Sequence, residues 1–371
     1  MNQVKLPFYA RLALILISVV LIFVILKVGS AVFIPLLFAL LIAVLVYPVT
    51  RLLERMGLGR SIAALITILA FFSVVAAFIY LFILQIISFS KDLPRLQKRL
   101  AVILHNMQSW ISHKYGIDSA EQMDYVNKSA SSIFSTAAHS LSNIFLSFGG
   151  ILIMVIFIII YSFFILYHRR LLTRFVTGLF KPQVRSEVHE VVQETRIVIN
   201  SYVIGLMIEM AILAVVGSCT LAILGIQYAI LIGVLAAVLN IIPYIGIYTS
   251  IALSMLITFT NGGGKPALEV ALVLLIIHII DSNIMMPRIV GGRVKMNPFI
   301  TIVAVIVGEL IWGIPGMFLF IPLTAIIKII SERVEGLKPW AILIGEEQKE
   351  QEEKILRKSK EPEIKGEEKK Q

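Results

Sequence analysis

Long apolar runs alternate with short polar and basic segments along almost the whole chain. A helix needs about 20 consecutive apolar residues to cross the roughly 30 Å hydrocarbon layer of a bilayer. Six runs approach or exceed that length. They predict transmembrane helices over residues 12–26, 32–47, 61–90, 148–167, 202–224 and 266–286. The pattern therefore predicts an all-α polytopic membrane protein.

Two further apolar stretches, residues 227–259 and 298–330, do not fit a single crossing. Each has 33 residues, which as one helix would measure about 50 Å. Each is broken near its middle, at residues 240–246 and 313–316, and each half is short for a complete crossing. We therefore predict two re-entrant helical hairpins, which bring the number of membrane segments to eight.

The polar segments between the apolar runs predict amphipathic helices. Residues 91–147 carry apolar residues at helical spacing after a helix-start signal at 92–94, and we expect extracytoplasmic helices there. Residues 169–200, with a break at Lys181-Pro182, combine an apolar stripe with arginines. That pattern is typical of a helix in the cytoplasmic headgroup layer and equally of an ordinary packed helix pair.

These segments divide the chain into consecutive parts, with a charged, partly disordered tail at the end. The expected division is N-terminal membrane helices 1–90, extracytoplasmic helices 91–147, membrane helix 148–168, cytoplasmic helices 169–200, transport core 201–330 and cytoplasmic tail 331–371.

The basic residues predict the orientation, because cytoplasmic loops of membrane proteins are enriched in Lys and Arg. Clusters at residues 51–60, 169–174 and 288–295 all fall on the cytoplasmic side if both broken stretches are hairpins. If both stretches are full crossings, the cluster at 288–295 falls outside. We therefore expect cytoplasmic N- and C-termini in a multi-pass protein of the cytoplasmic membrane.

Composition excludes several classes of protein. Of 371 residues, 58% are hydrophobic and 15% are charged, which excludes a soluble globular protein. The net charge is +10, and the basic residues cluster beside apolar runs, a pattern that reflects orientation in a membrane. We therefore expect no nucleic-acid partner. We find no metal, cofactor or nucleophile motif, and the single cysteine, Cys219, cannot form an intrachain disulfide. We therefore expect neither an enzyme nor a bound cofactor.

An internal repeat connects the two broken stretches. Sliding the sequence by 72 residues places Pro243 on Pro315 and Glu209 on Asp281. A span and a hairpin from one side, followed by the same pair from the other side, form an inverted repeat, and transporters with such repeats bind solutes where the broken helices meet. We expect the site between residues 240–246 and 313–316.

Ionisable groups inside membrane helices are rare and are commonly functional. The candidates for substrate or ion binding are acids, a histidine, hydrogen-bonding side chains and residues of the two breaks: Glu209, Asn240, Pro243, Tyr244, Gly246, His278, Asp281, Asn283, Glu309, Gly313, Pro315 and Gly316. For each ionisable group, neutral packing is the alternative to coupling of transport to H⁺ or Na⁺.

Several motifs resemble the autoinducer-2 exporter family, also described as PerM-type permeases. They are Tyr202-x-x-Gly205, Leu224-Gly225, residues 240–246, 281–287, Ile289, Gly291, Pro298, residues 313–316 and Ile321-Pro322. The resemblance implies eight membrane segments, export of small solutes such as autoinducer-2, a bacterial or archaeal membrane and a homo-oligomer, with a pentamer expected. Some relatives look like sodium(lithium)/proton antiporters.

Three functions stay open at this point. The first is a secondary exporter of a small polar solute. The second is a cation/proton antiporter using intramembrane carboxylates, which Glu309 favours because relatives tend to have a small residue after Gly308. The third is a membrane scaffold that transports nothing and binds a partner.

Overall fold

The computed structural model describes residues 7–115, 148–241, 245–289 and 296–345. Within these ranges the chain is helical, and the only β-type pairing is an isolated bridge between Met296 and Gly345. The prediction of an all-α protein is confirmed. The helices are α1 (Phe8–Val28), α2 (Ser30–Arg55), α3 (Arg60–Tyr115), α4 (Phe148–Tyr167), α5 (Arg169–Gly178), α6 (Arg185–Ile223), α7 (Ala229–Leu239), α8 (Ile245–Gly262), α9 (Gly264–Ile280), α10 (Met286–Ile289), α11 (Pro298–Trp312), α12 (Ile314–Arg333) and α13 (Lys338–Ile344).

Seven helices in the described ranges are long and apolar enough to cross a membrane. They include all six predicted spans, and the seventh is α12. We expected residues 298–330 to form two short limbs. The second limb is α12, which has 20 residues because the helix continues to Arg333. The helices α7 and α11, with 11 and 15 residues, measure only about 16 and 22 Å. Re-entry of the two broken stretches therefore stays a prediction.

The third helix is longer than expected. We predicted a new helix beginning at residues 92–94, but α3 continues without interruption from Arg60 to Tyr115. A proline inside a helix removes one backbone hydrogen bond, and helix-forming residues on both sides can maintain the helix across that loss. The remainder of the predicted extracytoplasmic segment, residues 116–147, lies outside the described residues.

The predicted break at Lys181-Pro182 is confirmed: α5 ends at Gly178, and a 3₁₀ turn over Pro182–Val184 leads into α6. The helix α6 then has 39 residues, or about 58 Å, so the cytoplasmic helix and the fifth predicted span are one continuous element.

The helix α6 packs against both broken stretches, at different heights. Near its middle, Ile199 and Tyr202 join a core cluster with Leu41 of α2 and with Trp312 and Leu319 of the α11–α12 pair. Near its end, Leu221 packs with side chains of α7 and α9 in a second cluster. In the described ranges, the α7–α8 and α11–α12 pairs thus meet α6 and form no substantial interface with each other.

Candidate functional site

One amide joins two acids in the interior of the helix bundle. The Asn240 Nδ2 atom donates to Oε1 of Glu209 at 3.3 Å and to Oδ2 of Asp281 at 3.2 Å. The two carboxyl side chains belong to α6 and to the turn that follows α9, and they are 5% and 2% exposed. We refer to Glu209, Asn240 and Asp281 as the acid–amide cluster.

The first helix break positions Asn240. The helix α7 ends at Leu239, and the backbone N–H of Asn240 donates to the carbonyl of Ala236 as the last bond of that helix. The helix α8 begins so close by that a β carbon on Gly246 would overlap the carbonyl of Leu239, so the position accepts only glycine. The predicted site residues Pro243 and Tyr244 lie outside the described residues.

Small residues bring α6 and α7 together. A β carbon on Gly217 would lie 3.4 Å from the Cα of Gly233, and one on Gly233 would overlap the backbone of Ser218. Glycine at a helix crossing allows close backbone approach in membrane proteins. Sequence reasoning missed this pair, although small residues inside an apolar span are a signal that could have found it.

Asp281 lies where the regular helix stops. Residues Asp281–Met285 form a π-helical turn, a feature that occurs frequently at functional sites. Its Oδ1 atom is buried and, among the described residues, has no hydrogen-bond partner. One oxygen of this carboxyl group therefore accepts from Asn240, and the other has no geometric hydrogen-bond partner in the described ranges.

A small cavity adjoins the cluster, with a volume of about 20 Å³. This is enough for one water molecule or a bare ion. Two of the candidates named from the sequence, His278 and Asp281, line it together. The remaining lining residues are Leu213, Gly217, Ala236, Ala237, Asn240, Ile247, Leu274 and Ile277.

Two predicted polar residues lie away from the cluster. Asn283 is exposed, and its Nδ2 donates to the carbonyl of Ile279 at 2.8 Å, within its own helical segment. Glu309 is exposed on α11. A polar residue in an apolar run does not reveal which way its helix face points or which helix covers that face. The sequence alone therefore did not distinguish Asn283 and Glu309 from the residues of the cluster.

The second break forms a tight helix pair. Gly313 has φ 63°, which lets the chain reverse between α11 and α12, and Pro315 lies in the first turn of α12. Gly316 is buried against the backbone of Gly308. These glycines make close packing possible, and they belong to the part of the structure around Trp312 rather than to the acid–amide cluster.

Hydroxyl groups line one buried face of α8. Ser250 and Ser254 are 0% exposed and Thr258 is 4% exposed, at a spacing of four residues. Ser250 donates to the carbonyl of Ile247 at 2.8 Å, whereas the hydroxyls of Ser254 and Thr258 have no partner among the described residues. The four-residue spacing of Ser250, Ser254 and Thr258 in the sequence is the signal that could have predicted this stripe.

Membrane-length helices, broken helices and a buried acid–amide cluster are together features of a polytopic membrane transporter. The chain belongs to the AI-2E family of transporters, whose pattern matches residues 15–336. The resemblance noted from the motifs is thereby confirmed, and the family is one of transporters rather than enzymes.

Individual relatives are similar over most of their length. YrrI of Bacillus subtilis, whose name assigns transport provisionally, is 25% identical over 81% of this chain and 86% of its own. A provisionally named transport protein of Borreliella burgdorferi is 26% identical over 93% of both chains. TqsA of Escherichia coli K12, named an AI-2 transport protein, is 27% identical over 87% of this chain and 92% of its own.

Proposed function

We propose that this protein is a secondary transporter that moves a small polar solute, such as autoinducer-2 or a related metabolite, out of the cell. The acid–amide cluster is the proposed binding site. The observation that carries the proposal is that Asn240, at the end of a broken helix, donates to buried carboxyl groups from two other membrane segments. The name of TqsA supports the solute class.

The chemistry of the cluster suits a solute with several hydroxyl groups. Carboxylate oxygens accept hydrogen bonds, and an amide both donates and accepts. The Oδ1 atom of Asp281, which has no geometric hydrogen-bond partner among the described residues, offers an acceptor, and a hydroxylated solute could replace Asn240 as the partner of either acid. The break adds the carbonyl end of α7 and the amide end of α8, which carry opposite partial charges.

The size of the present cavity sets a condition on this mechanism. About 20 Å³ holds a water molecule or an ion but no sugar-sized solute. Export therefore requires a second conformation in which the α7–α8 pair moves away from α9 and widens the cavity. Alternating access of this kind is the usual mechanism of transporters built from repeated broken helices.

The hydroxyl stripe of α8 supports a route between the cluster and the outer side. It begins near Ile247, which lines the small cavity, and ends four residues before Gly262. Under the predicted topology that end of α8 is extracytoplasmic. A movement of α8 that uncovers its buried hydroxyl face would expose Ser250, Ser254 and Thr258 to the moving solute.

Transport by the purified protein in liposomes tests the proposal. We expect saturable flux of autoinducer-2 under an imposed proton or sodium gradient, and a loss of at least about tenfold in Glu209→Gln and Asp281→Asn. Glu309→Gln is the matched control, because Glu309 is also an acid in an apolar helix but lies outside the cluster. Full flux in the Glu209→Gln, Asp281→Asn double variant would exclude the cluster. Any saturable flux would also count against a pure scaffold.

Sodium(lithium)/proton antiport is the second candidate, and one observation favours it. The small cavity is lined by Asp281 and has room for an ion, and Asp281 shares its amide donor with Glu209, so the two carboxyl groups could exchange a proton for a cation. Acidification of the liposome lumen, followed with a pH-sensitive dye while sodium is varied and no solute is present, separates this function from solute export.

A further inference from the structure

A second, much larger cavity lies between α2, α4, α5, α6 and α12. Its volume is about 1320 Å³, above the range of roughly 300–1,000 Å³ typical of small-ligand pockets. It is lined by residues of the arginine-rich ends of these helices and by aliphatic residues deeper in the bundle. The acid–amide cluster contributes none of its residues to this lining.

Positive charge dominates one part of the cavity. Six arginines line it against three glutamates. Two of these arginines have acid partners: Arg169 pairs with Glu54, and Arg333 donates to Glu190 and Glu194 at 3.0 and 3.2 Å. In the part of the chain that the structure describes, no carboxylate pairs with the other four, which are Arg51, Arg170, Arg174 and Arg196.

Two arginines converge on one aromatic ring. The guanidinium carbon of Arg196 lies 3.3 Å from the ring centre of Tyr47, and that of Arg169 lies 5.2 Å from it. Both arginines are partly buried, and the Nη1 atom of Arg169 is buried without a hydrogen-bond partner among the described residues. Glu54 balances the charge of Arg169, and an anion beside Arg196 would balance the second charge, because like charges held together away from water repel each other.

The rest of the cavity wall is aliphatic. Leu40, Ala43 and Val44 precede Tyr47 on α2, and they lie deeper in the bundle than the arginines. Leu166, Ile199 and Ile326 continue this wall on three other helices. A water-soluble anion would leave these surfaces uncovered, whereas a hydrocarbon chain would cover them.

The helix α5 indicates that the cavity lies at the membrane surface. Its exposed face combines Arg170 and Arg174 with Leu171 and Phe175, which are each 62% exposed. A short helix with basic and bulky apolar residues on its surface is typical of the headgroup layer. Since α5 also lines the cavity, lipid headgroups would lie at the same depth as its arginines.

We propose that this cavity binds an anionic phospholipid, with its phosphate between Arg51, Arg169 and Arg196 and an acyl chain along the aliphatic wall. The lipid comes from the leaflet on the arginine-rich side of the protein. Basic pockets between membrane helices recognise anionic headgroups in this way. The inference is independent of the transported solute, because it rests on a different set of residues.

Native mass spectrometry of the full-length, delipidated protein tests the site. The probes are phosphatidylglycerol, phosphatidylcholine with the same chains, glycerol 1-phosphate and inorganic phosphate. We expect phosphatidylglycerol to bind more tightly than the other three, and Arg196→Gln to weaken its binding by about tenfold to a hundredfold. Arg55→Gln is the matched control, because Arg55 is a basic residue of the same α2 terminus that does not line the cavity.

Two further variants distinguish recognition of the lipid headgroup from binding of the acyl chain. Arg196→Lys keeps the charge and should restore most of the affinity if the fold is intact. Val44→Trp fills part of the aliphatic wall, and it should weaken phosphatidylglycerol without changing the binding of the soluble anions. Equal binding of both phospholipids, equal weakening by Arg55→Gln, or phosphate binding as tight as the lipid would overturn the assignment.

Discussion

Gly308 and Gly316 face each other across the α11–α12 pair so closely that a β carbon on either would overlap the backbone carbonyl of the other. Each glycine therefore leaves room for the backbone of the opposite helix. The pair fixes the separation of α11 and α12 next to Trp312, which belongs to the core cluster on α6. Gly316, the last residue of the second helix break, thus has a role in the packing of α11 against α12.

We expect Gly316→Ala to destabilise the protein by about 1–3 kcal/mol, because the added methyl group must push two backbones apart. Gly178→Ala is the control: that glycine is helical, and a β carbon added to it would meet no other atom within 4 Å, so alanine should be neutral or slightly stabilising. Thermal unfolding of the two purified variants in the same detergent measures the difference. Equal melting temperatures would contradict the packing role.

Replacement of Asn240 by alanine should disable transport while the protein stays folded. The change removes the only side-chain donor that the described residues provide to Glu209 and Asp281 together, and it leaves two buried carboxyl groups side by side. We expect at least about a tenfold fall in liposome flux.

Asn283→Ala is the control for that experiment. Asn283 is also an amide close to Asp281 in sequence, but it is exposed and bonds to Ile279 of its own segment. Its loss should leave flux within about twofold, since an exposed local hydrogen bond contributes little. A similar loss of flux in both variants would mean that general damage, rather than the cluster, explains the first result.

The sequence predicted those features that depend on local signals. Proline and glycine inside an apolar run marked the helix breaks near Asn240 and Gly313, and charge inside an apolar run singled out Glu209 and Asp281. These signals are visible because lipid has no water to satisfy a broken helix or a buried charge.

Features that depend on tertiary packing were not predictable in the same way. The bond between Asn240 and Asp281 joins residues 41 positions apart, and a π-helical turn begins at Asp281. The exposure of Glu309 depends on which helix covers that face of α11. The arginine-lined cavity is assembled from five helices, and no local pattern around Tyr47 indicates it.

Trp312 anchors the first helix to the bundle, and its loss should loosen that anchor. The indole Nε1 atom donates to the carbonyl of Leu26 at 2.8 Å, at the end of a helix that has no buried residue of its own. We expect Trp312→Phe to destabilise the protein by about 1–3 kcal/mol, because the carbonyl loses its partner and the core loses volume.

Trp340→Phe is the control for the anchor, since Trp340 is 58% exposed on α13. Limited proteolysis of the segment around Gly29 measures the local effect and thermal unfolding measures the global one. Faster cleavage in Trp312→Phe alone supports the anchor. Unchanged cleavage with unchanged melting would contradict it.

Cysteine labelling tests whether each broken stretch returns to the side from which it entered or crosses the membrane once. The native Cys219 is first replaced by serine, and single cysteines are then introduced at Lys265 and at Arg293. With both stretches as hairpins, a membrane-impermeant maleimide should label position 265 from outside intact cells and position 293 only after the cytoplasmic side is opened. A full crossing by both stretches moves residues 288–295 to the outside, so labelling of position 293 in intact cells would contradict the hairpins. We predicted hairpins because the positive-inside rule places the basic cluster at residues 288–295 in the cytoplasm. That outcome would therefore also mean that this cluster is an exception to the rule.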